Sequence, residues 1–267
     1  MKVGHRALSV LSLGLTVLSG LWANSAHSKQ QLSAIRSAAV VSILGNQVDM
    51  QTLGMTKFDY EDYKLNSEWK LDEDIRNFVT NALKKRLIIK SGVNLQAFSG
   101  VKSSFRETLP DNIGTHIRSM SPAPDVDAII VIYPNATDSL VANQLEVTHQ
   151  AGFLFHGPST IFASAYAVGI FDAKSGERIE FGTGRLPDHG YITGFSPAWE
   201  MCPNSMWADT ETALSAEQKD KIHQELWSLI TRSLPYALAS AGLISESERN
   251  ELATSALLPA DPACHSI

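Results

Sequence analysis

Residues Asp127 to Tyr133 read Asp-Ala-Ile-Ile-Val-Ile-Tyr, an apolar run with no polar alternation. A strand wetted on one face alternates apolar and polar side chains, so this run fits a central strand covered on both faces. Other elements supply the layers. Ala34–Leu44 is rich in β-branched residues, Gly45-Asn46 marks a turn, and Gln47–Phe58 alternates well enough to be a hairpin partner. Asp59–Lys70 reads as a loop carrying Tyr60, Tyr63 and Trp69. From Asp72, the residues Ile75, Phe78, Val79, Ala82, Leu83 and Leu87 recur at helical spacing, with acids first and Lys84-Lys85-Arg86 last. A short strand is expected at Leu87–Ile89, and a helix at Pro110–Met120 with Ile113, Ile117 and Met120 on one face.

The second half is antiparallel in character. Gln144–Phe155 and Thr160–Phe171 are strand-like, and Asp172–Gly176 is a turn into a strand at Glu177–Gly182. Gly184–Thr210 reads as a long loop. A capping box, Ser215 with Gln218, opens a helix whose apolar face is Ile222, Leu226, Leu229, Ile230 and Leu234. Pro235 should kink or end it, and Gly242 should cap it. The expected fold is α/β (α+β): a single mixed sheet with an amino-terminal hairpin, an antiparallel second half, and helices packed on it. Residues 29–242 form one globular domain and 243–267 a carboxy-terminal tail, helical in part at Glu246–Leu257.

Residues 1–28 read as an export signal, with an uncleaved amino-terminal anchor as the alternative; Trp22 followed by polar Asn24, Ser25 and His27 argues for cleavage. Lys2 and Arg6 precede an uncharged stretch from Ala7 to Trp22, and small residues follow from Ala23 to Ser28. Cleavage after Ser25, Ala26 or Ser28 fits, with Ser28 favoured; no cysteine lies near it to take a lipid. The expected location is outside the cytoplasm, periplasmic in a bacterium and secreted otherwise. The longest later apolar stretch, Ile161–Phe171, is too short to span a bilayer, so no transmembrane span is expected in the mature chain. Formal net charge is −6, and loss of Lys2 and Arg6 takes it two units lower; nucleic acid is not expected as a partner. Cys202 and Cys264 allow one pairing, which would tie the tail to the loop around Trp199–Trp207; two free thiols are the rival.

Catalytic signatures are missing. There is no G-x-S-x-G, since Gly157-Pro158-Ser159 lacks the second glycine, and no H-E-x-x-H or H-x-H. Gly182-Thr183-Gly184-Arg185 lacks the helix start and lysine of a P-loop and reads as the bent end of a strand. No cofactor, metal or catalytic residue is therefore assigned. The segment Phe195–Trp207 is the most suggestive exposed feature, and Trp199, Met201, Met206 and Trp207 are the candidate partner-binding residues. The alternative to that contact role is a lid folded over the sheet and pinned by Cys202.

Two segments carry a resemblance. Asp125-Val-Asp127-Ala-Ile-Ile-Val-Ile132 follows a helix, and Gly169-Ile-Phe-Asp172-Ala-Lys-Ser-Gly176-Glu-Arg-Ile179 forms a strand-turn-strand. Together they resemble the bacterial envelope α/β domains of the curli-secretion lipoprotein and the TolB amino-terminal domain, over roughly Ile35 to Leu238 by order of elements. The family's lipid-anchor cysteine is absent. The resemblance implies assembly or partner binding. The expected function is thus an exported soluble, non-enzymatic interaction module with an envelope protein partner. The alternative is a hydrolase whose site assembles from the dispersed residues Glu146, His149, His156, Asp188 and His189.

Overall fold

A computed structural model describes residues 31–45, 47–53, 60–66, 68–91, 93, 95–98, 100–101, 108–135, 145–150, 159–186, 198–255 and 263–264. The export segment, His156, Asp188 and His189 lie outside these residues. The strands are β1 (Ser37–Ser42), β2 (Gln47–Leu53), β3 (Tyr60–Asn66), β4 (Ile88–Ile89), β5 (Ala128–Pro134), β6 (Leu145–Gln150), β7 (Ser159–Ser164), β8 (Tyr166–Asp172), β9 (Arg178–Thr183) and β10 (Ala198–Cys202). The helices are α1 (Leu71–Leu83), α2 (Leu109–Ser119), α3 (Ala216–Ser240) and α4 (Glu246–Ser255).

The fold is mixed α/β, with two five-stranded sheets where one was expected. The first runs β4-β1-β5-β8-β9 and the second β10-β7-β6-β2-β3. The expected amino-terminal hairpin is not formed. β1 pairs in parallel with β4 and β5, whereas β2 pairs antiparallel with β3 and parallel with β6. The segment read as a loop from Asp59 therefore contains β3. Gly45, at φ 80°, is a corner where the chain changes sheet, not a hairpin turn. Asp72, in the first turn of α1, pins the corner: its carboxylate accepts from Ser42 Oγ at 2.6 Å and from the amides of Leu44 and Gly45 at 3.0 Å. A second change of sheet occurs between β7 and β8 at Ala165, inside the stretch read as one strand.

The first sheet is covered on both faces, as the apolar run in β5 demands. Ile129, Val131 and Tyr133 face α2 in a cluster with Ile113, Ile117 and Phe171. Ile130 and Ile132 join the larger core with Val40, Val168, Leu83 of α1 and Leu234 of α3. That core continues across the second sheet through Met50, Val147 and Phe162, so α3 serves both sheets. The antiparallel pairs β5–β8, β8–β9, β6–β7 and β7–β10 make up the second half. Where β1 and β5 begin, Asp127 accepts from the amides of Arg36 and Ser37 at 2.9 and 2.8 Å, and those bonds hold its carboxyl below the usual range.

Helix ends follow local chemistry. Ser215 Oγ accepts from Gln218 N at 3.2 Å while Ser215 N donates to Gln218 Oε1 at 3.0 Å. α3 continues through Pro235 to Ser240, so the proline does not end it. Burial of Leu234, Ala237 and Leu238 on both sides of the proline holds the helix in place despite the missing N–H. Gly242, at φ 74°, ends it: Leu243 N bonds Leu238 O at 2.9 Å, a left-handed cap. α1 stops at Leu83, so the basic triplet follows the helix and does not fill its last turn.

Two glycines meet at the α2 docking site. A Cβ on Gly114 would sit 2.3 Å from Gly176 O, and Gly176 is the φ 67° residue of the Asp172–Gly176 turn. Gly114→Ala should therefore lose roughly 1–3 kcal/mol by prying α2 off the sheet, read as a lowered urea midpoint. An unchanged midpoint would contradict the close approach.

The tail packs back on this body. Arg86 of the α1–β4 connection bonds Glu248 in α4, Nε to Oε1 at 3.1 Å, and Arg249 lies 5.1 Å from the Tyr236 ring centroid. Ser245 donates to Glu248 Oε2 from its amide at 2.7 Å and its hydroxyl at 2.6 Å. The Ser245 hydroxyl and amide, aided by Arg86, hold the Glu248 carboxyl down at about 2, against an ordinary 4.5. A depressed carboxyl contributes stability above the unfolded value and loses it as pH falls through the folded one. The stability advantage of the wild-type chain over Glu248→Gln should therefore shrink between pH 5 and pH 2 in urea titrations; a constant advantage would contradict it.

Candidate functional site

The expected interaction residues fall at one corner of the second sheet, but mostly inside it. Gly184–Thr210 is not a loop throughout: Ala198–Cys202 is edge strand β10, paired with β7. Trp199 and Met201 are 8% and 7% exposed and cluster with Ile161 and Ala163 on one face of the sheet. Met206, in a 3-10 turn at Asn204–Met206, is buried in the main core. As an exposed patch, these three are corrected by burial. Trp207 alone of the four is half-exposed.

Trp207 builds an aromatic column with two side chains from the strands on either side of β2. Its ring stacks on His149 of β6, centroids 5.4 Å apart and planes 16° from parallel, and lies 6.0 Å from Tyr63 of β3. Polar bonds fix the column. Trp207 Nε1 donates to Asp209 Oδ1 at 3.2 Å, Tyr63 OH donates to Ala208 O at 2.8 Å, and Gln218 Nε2 donates to Trp207 O at 3.4 Å. Burial, then the charges of Glu211 and Asp209, push the Tyr63 phenol up to about 12, so it is a neutral donor at any physiological pH. A second stack joins Trp69 and His223 at 4.6 Å, and desolvation lowers the His223 pKa against the pull of Asp74 and Asp220.

Behind the column, between the second sheet and α3, runs a seam of buried polar groups. Glu200 alternates with Trp199 and Met201, so its carboxylate faces α3. It takes both ends of the Arg232 guanidinium, Nη1 to Oε1 at 2.6 Å and Nη2 to Oε2. Their side chains are 4% and 16% exposed. Arg232 Nε also donates to Ser228 O at 3.3 Å. Further along, Tyr166 OH lies 2.7 Å from Ser233 Oγ, and Gly184 packs on the Tyr166 ring, where a Cβ would come within 2.3 Å. Gly182 likewise admits the α3 backbone, its Cβ position being 2.1 Å from Ala237 O. These glycines allow close helix–sheet packing, and Gly182 is still part of β9.

Cys202, the last residue of β10, forms a disulfide with Cys264, which joins the tail to the sheet across 62 positions. Glu225 of α3 is 2% exposed, and its carboxylate lies within 4.8 Å of both sulfurs.

Of the dispersed set for hydrolysis, His149 alone has a described side chain. It stacks on Trp207, and its buried Nδ1 has no hydrogen-bond partner among the described residues. Glu146 lies in β6 and is described by its backbone only. The reading of the residues missed Glu200, Arg232 and Glu225. Their signal was positional: Glu225 and Arg232 follow the apolar Ile222 and Leu229 by three residues and share their face of α3.

No family model matches the chain, and no curated protein is similar enough to count as a relative. Among solved structures, one similar to it is a hypothetical protein from Chlamydia trachomatis, at 11% identity over 82% of this chain and 95% of that one. The TM-score is 0.28, which carries no argument about fold or function.

Proposed function

We propose that this chain is exported by its first 28 residues and works in the cell envelope as a non-enzymatic interaction module, periplasmic in a bacterium. The Cys202–Cys264 disulfide supports the reading most directly, because such bonds persist in oxidising compartments. No helix among the described residues is long and apolar enough to cross a membrane, which is compatible with it. The resemblance of Asp125–Ile132 and Gly169–Ile179 to the curli-secretion and TolB-type domains is kept as part of this proposal.

The contact point in this reading is Trp207 with Tyr63 beside it, a half-exposed aromatic pair of the kind enriched at binding hot spots. Trp199 and Met201 lie on the other face of the second sheet with Ile161 and Ala163, and Met206 lies in the main core. Affinity capture with the full chain and with Trp207→Ala, from the compartment in which the chain resides, tests the reading. An envelope protein captured by the wild type and lost with the variant, whose melting stays within a few degrees of wild type, is the expected outcome. Equal capture by both would remove Trp207 from the interface. A chain that stays in the cytoplasm with Met1 attached would remove the address.

A further inference from the structure

We propose that Cys202, Cys264 and Glu225 form a binding site for a thiophilic divalent cation such as Zn²⁺, closed by the disulfide and opened by a dithiol reductant. The two sulfurs and a Glu225 carboxylate oxygen all lie within 4.8 Å of one another. Around a tetrahedral zinc, with bonds of ~2.3 Å to sulfur and ~2.1 Å to oxygen, such ligands sit roughly 3.5–3.8 Å apart. The disulfide holds the two sulfurs at bonding distance, so reduction must part them to reach this spacing, while the Glu225 oxygen already lies beside them.

Each ligand comes from a different part of the chain: the end of β10, the core face of α3, and the tail. The sheet and helix hold Cys202 and Glu225, at 4% and 2% exposure, while the tail brings Cys264 over them. A carboxylate on the Ile222, Leu226 and Leu229 face of α3 is costly to bury unless something meets its charge. Glu225 already has an interaction partner, and a divalent cation held by two thiolates beside it would add to that compensation. The donor set of two soft sulfurs and one carboxylate suits zinc over calcium or magnesium, which take oxygen ligands. Three protein ligands leave a fourth position for water or an outside ligand.

Opening the site is a balanced exchange. A thiolate of the reducing dithiol attacks Sγ of Cys264, the less buried of the two cysteines, forming a mixed disulfide and expelling Cys202 as the thiolate. The reagent's second thiol then attacks its own bound sulfur and releases Cys264. Two electrons pass to the chain, the dithiol becomes a cyclic disulfide, and the released thiolates take up protons. Cation binding displaces those protons again, and zinc itself undergoes no redox change. Disulfide and metal use the same two sulfurs, so each excludes the other.

The test takes the full chain, reduces it with a dithiol, removes the reagent without air, and titrates Zn²⁺ against a chromophoric chelator. The reduced wild type should take up one zinc per chain, and the oxidised chain none at this site. Glu225→Gln, nearly isosteric, should weaken uptake roughly tenfold or more, and Cys264→Ser by a hundredfold or more. Zinc should also raise the melting temperature of the reduced wild type and leave that of the oxidised chain unchanged. Equal zinc uptake by reduced and oxidised chains would overturn the proposal. So would wild-type affinity in either Glu225→Gln or Cys264→Ser.

Discussion

Glu200→Ala should cost about 3–5 kcal/mol of folding stability, the largest loss expected from a single polar substitution in this chain. The substitution leaves the Arg232 guanidinium in the seam between β10 and α3 with its bidentate partner gone. The penalty is the uncompensated buried charge, not the net worth of the pair. That distinction has a measurable consequence. Glu200→Met combined with Arg232→Leu removes both charges and should recover most of the loss. For a domain of this size, each kcal/mol moves the midpoint by about 2–4 °C, so the single variant should melt roughly 6–20 °C below wild type. A single variant melting with wild type would contradict the burial of the pair.

Cys264→Ser should lose a comparable amount through the unfolded state. A cross-link spanning 62 positions removes loop-closure entropy worth about 4 kcal/mol at 25 °C in the chain-entropy treatment. The variant and the reduced wild type should unfold at the same denaturant concentration, both well below the oxidised chain. The loss should also free the tail. With the covalent tie gone, α4 is held by Leu252 against the core, the part-exposed Arg86–Glu248 pair and the Arg249–Tyr236 contact, the last two of modest strength. Limited proteolysis should then cut the tail faster in Cys264→Ser than in the oxidised wild type. Coincident unfolding of oxidised and reduced chains would show that the bridge constrains nothing.

Much of the fold was legible because some signals are local. The Asp127–Tyr133 run, the Ser215–Gln218 box, the Gly242 cap and the Asp172–Gly176 turn each depend on residues within a few positions of one another. Changes of sheet are not local. Gly45-Asn46 carries the chemistry of a hairpin turn, but what makes Gly45 a corner is the Asp72 carboxylate 27 positions away. Ala165 leaves no mark at all, since Ser164 and Tyr166 continue an apolar strand pattern straight through the bend. One missed bend turns two sheets into one.

The site was harder to read for the same reason. A tryptophan- and methionine-rich stretch with prolines looks like a surface loop, yet its first part pairs with β7, which buries Trp199 and Met201. The polar residues that matter there, Glu200, Glu225 and Arg232, each sit among apolar neighbours. Only the packing of β10 on α3 brings Glu200 to Arg232 and Glu225 beside Cys202. His149 and Trp207 are 58 positions apart, and each was singled out for a different role before the sheet stacked one on the other.

The proposed export and the Cys202–Cys264 bridge are tested together by the intact mass of the protein recovered from its own compartment. The expected mass is that of a chain beginning near residue 29, lighter than its fully reduced form by the two thiol hydrogens lost in the bridge. A cytoplasmic chain that retains Met1 and carries two free thiols would contradict it.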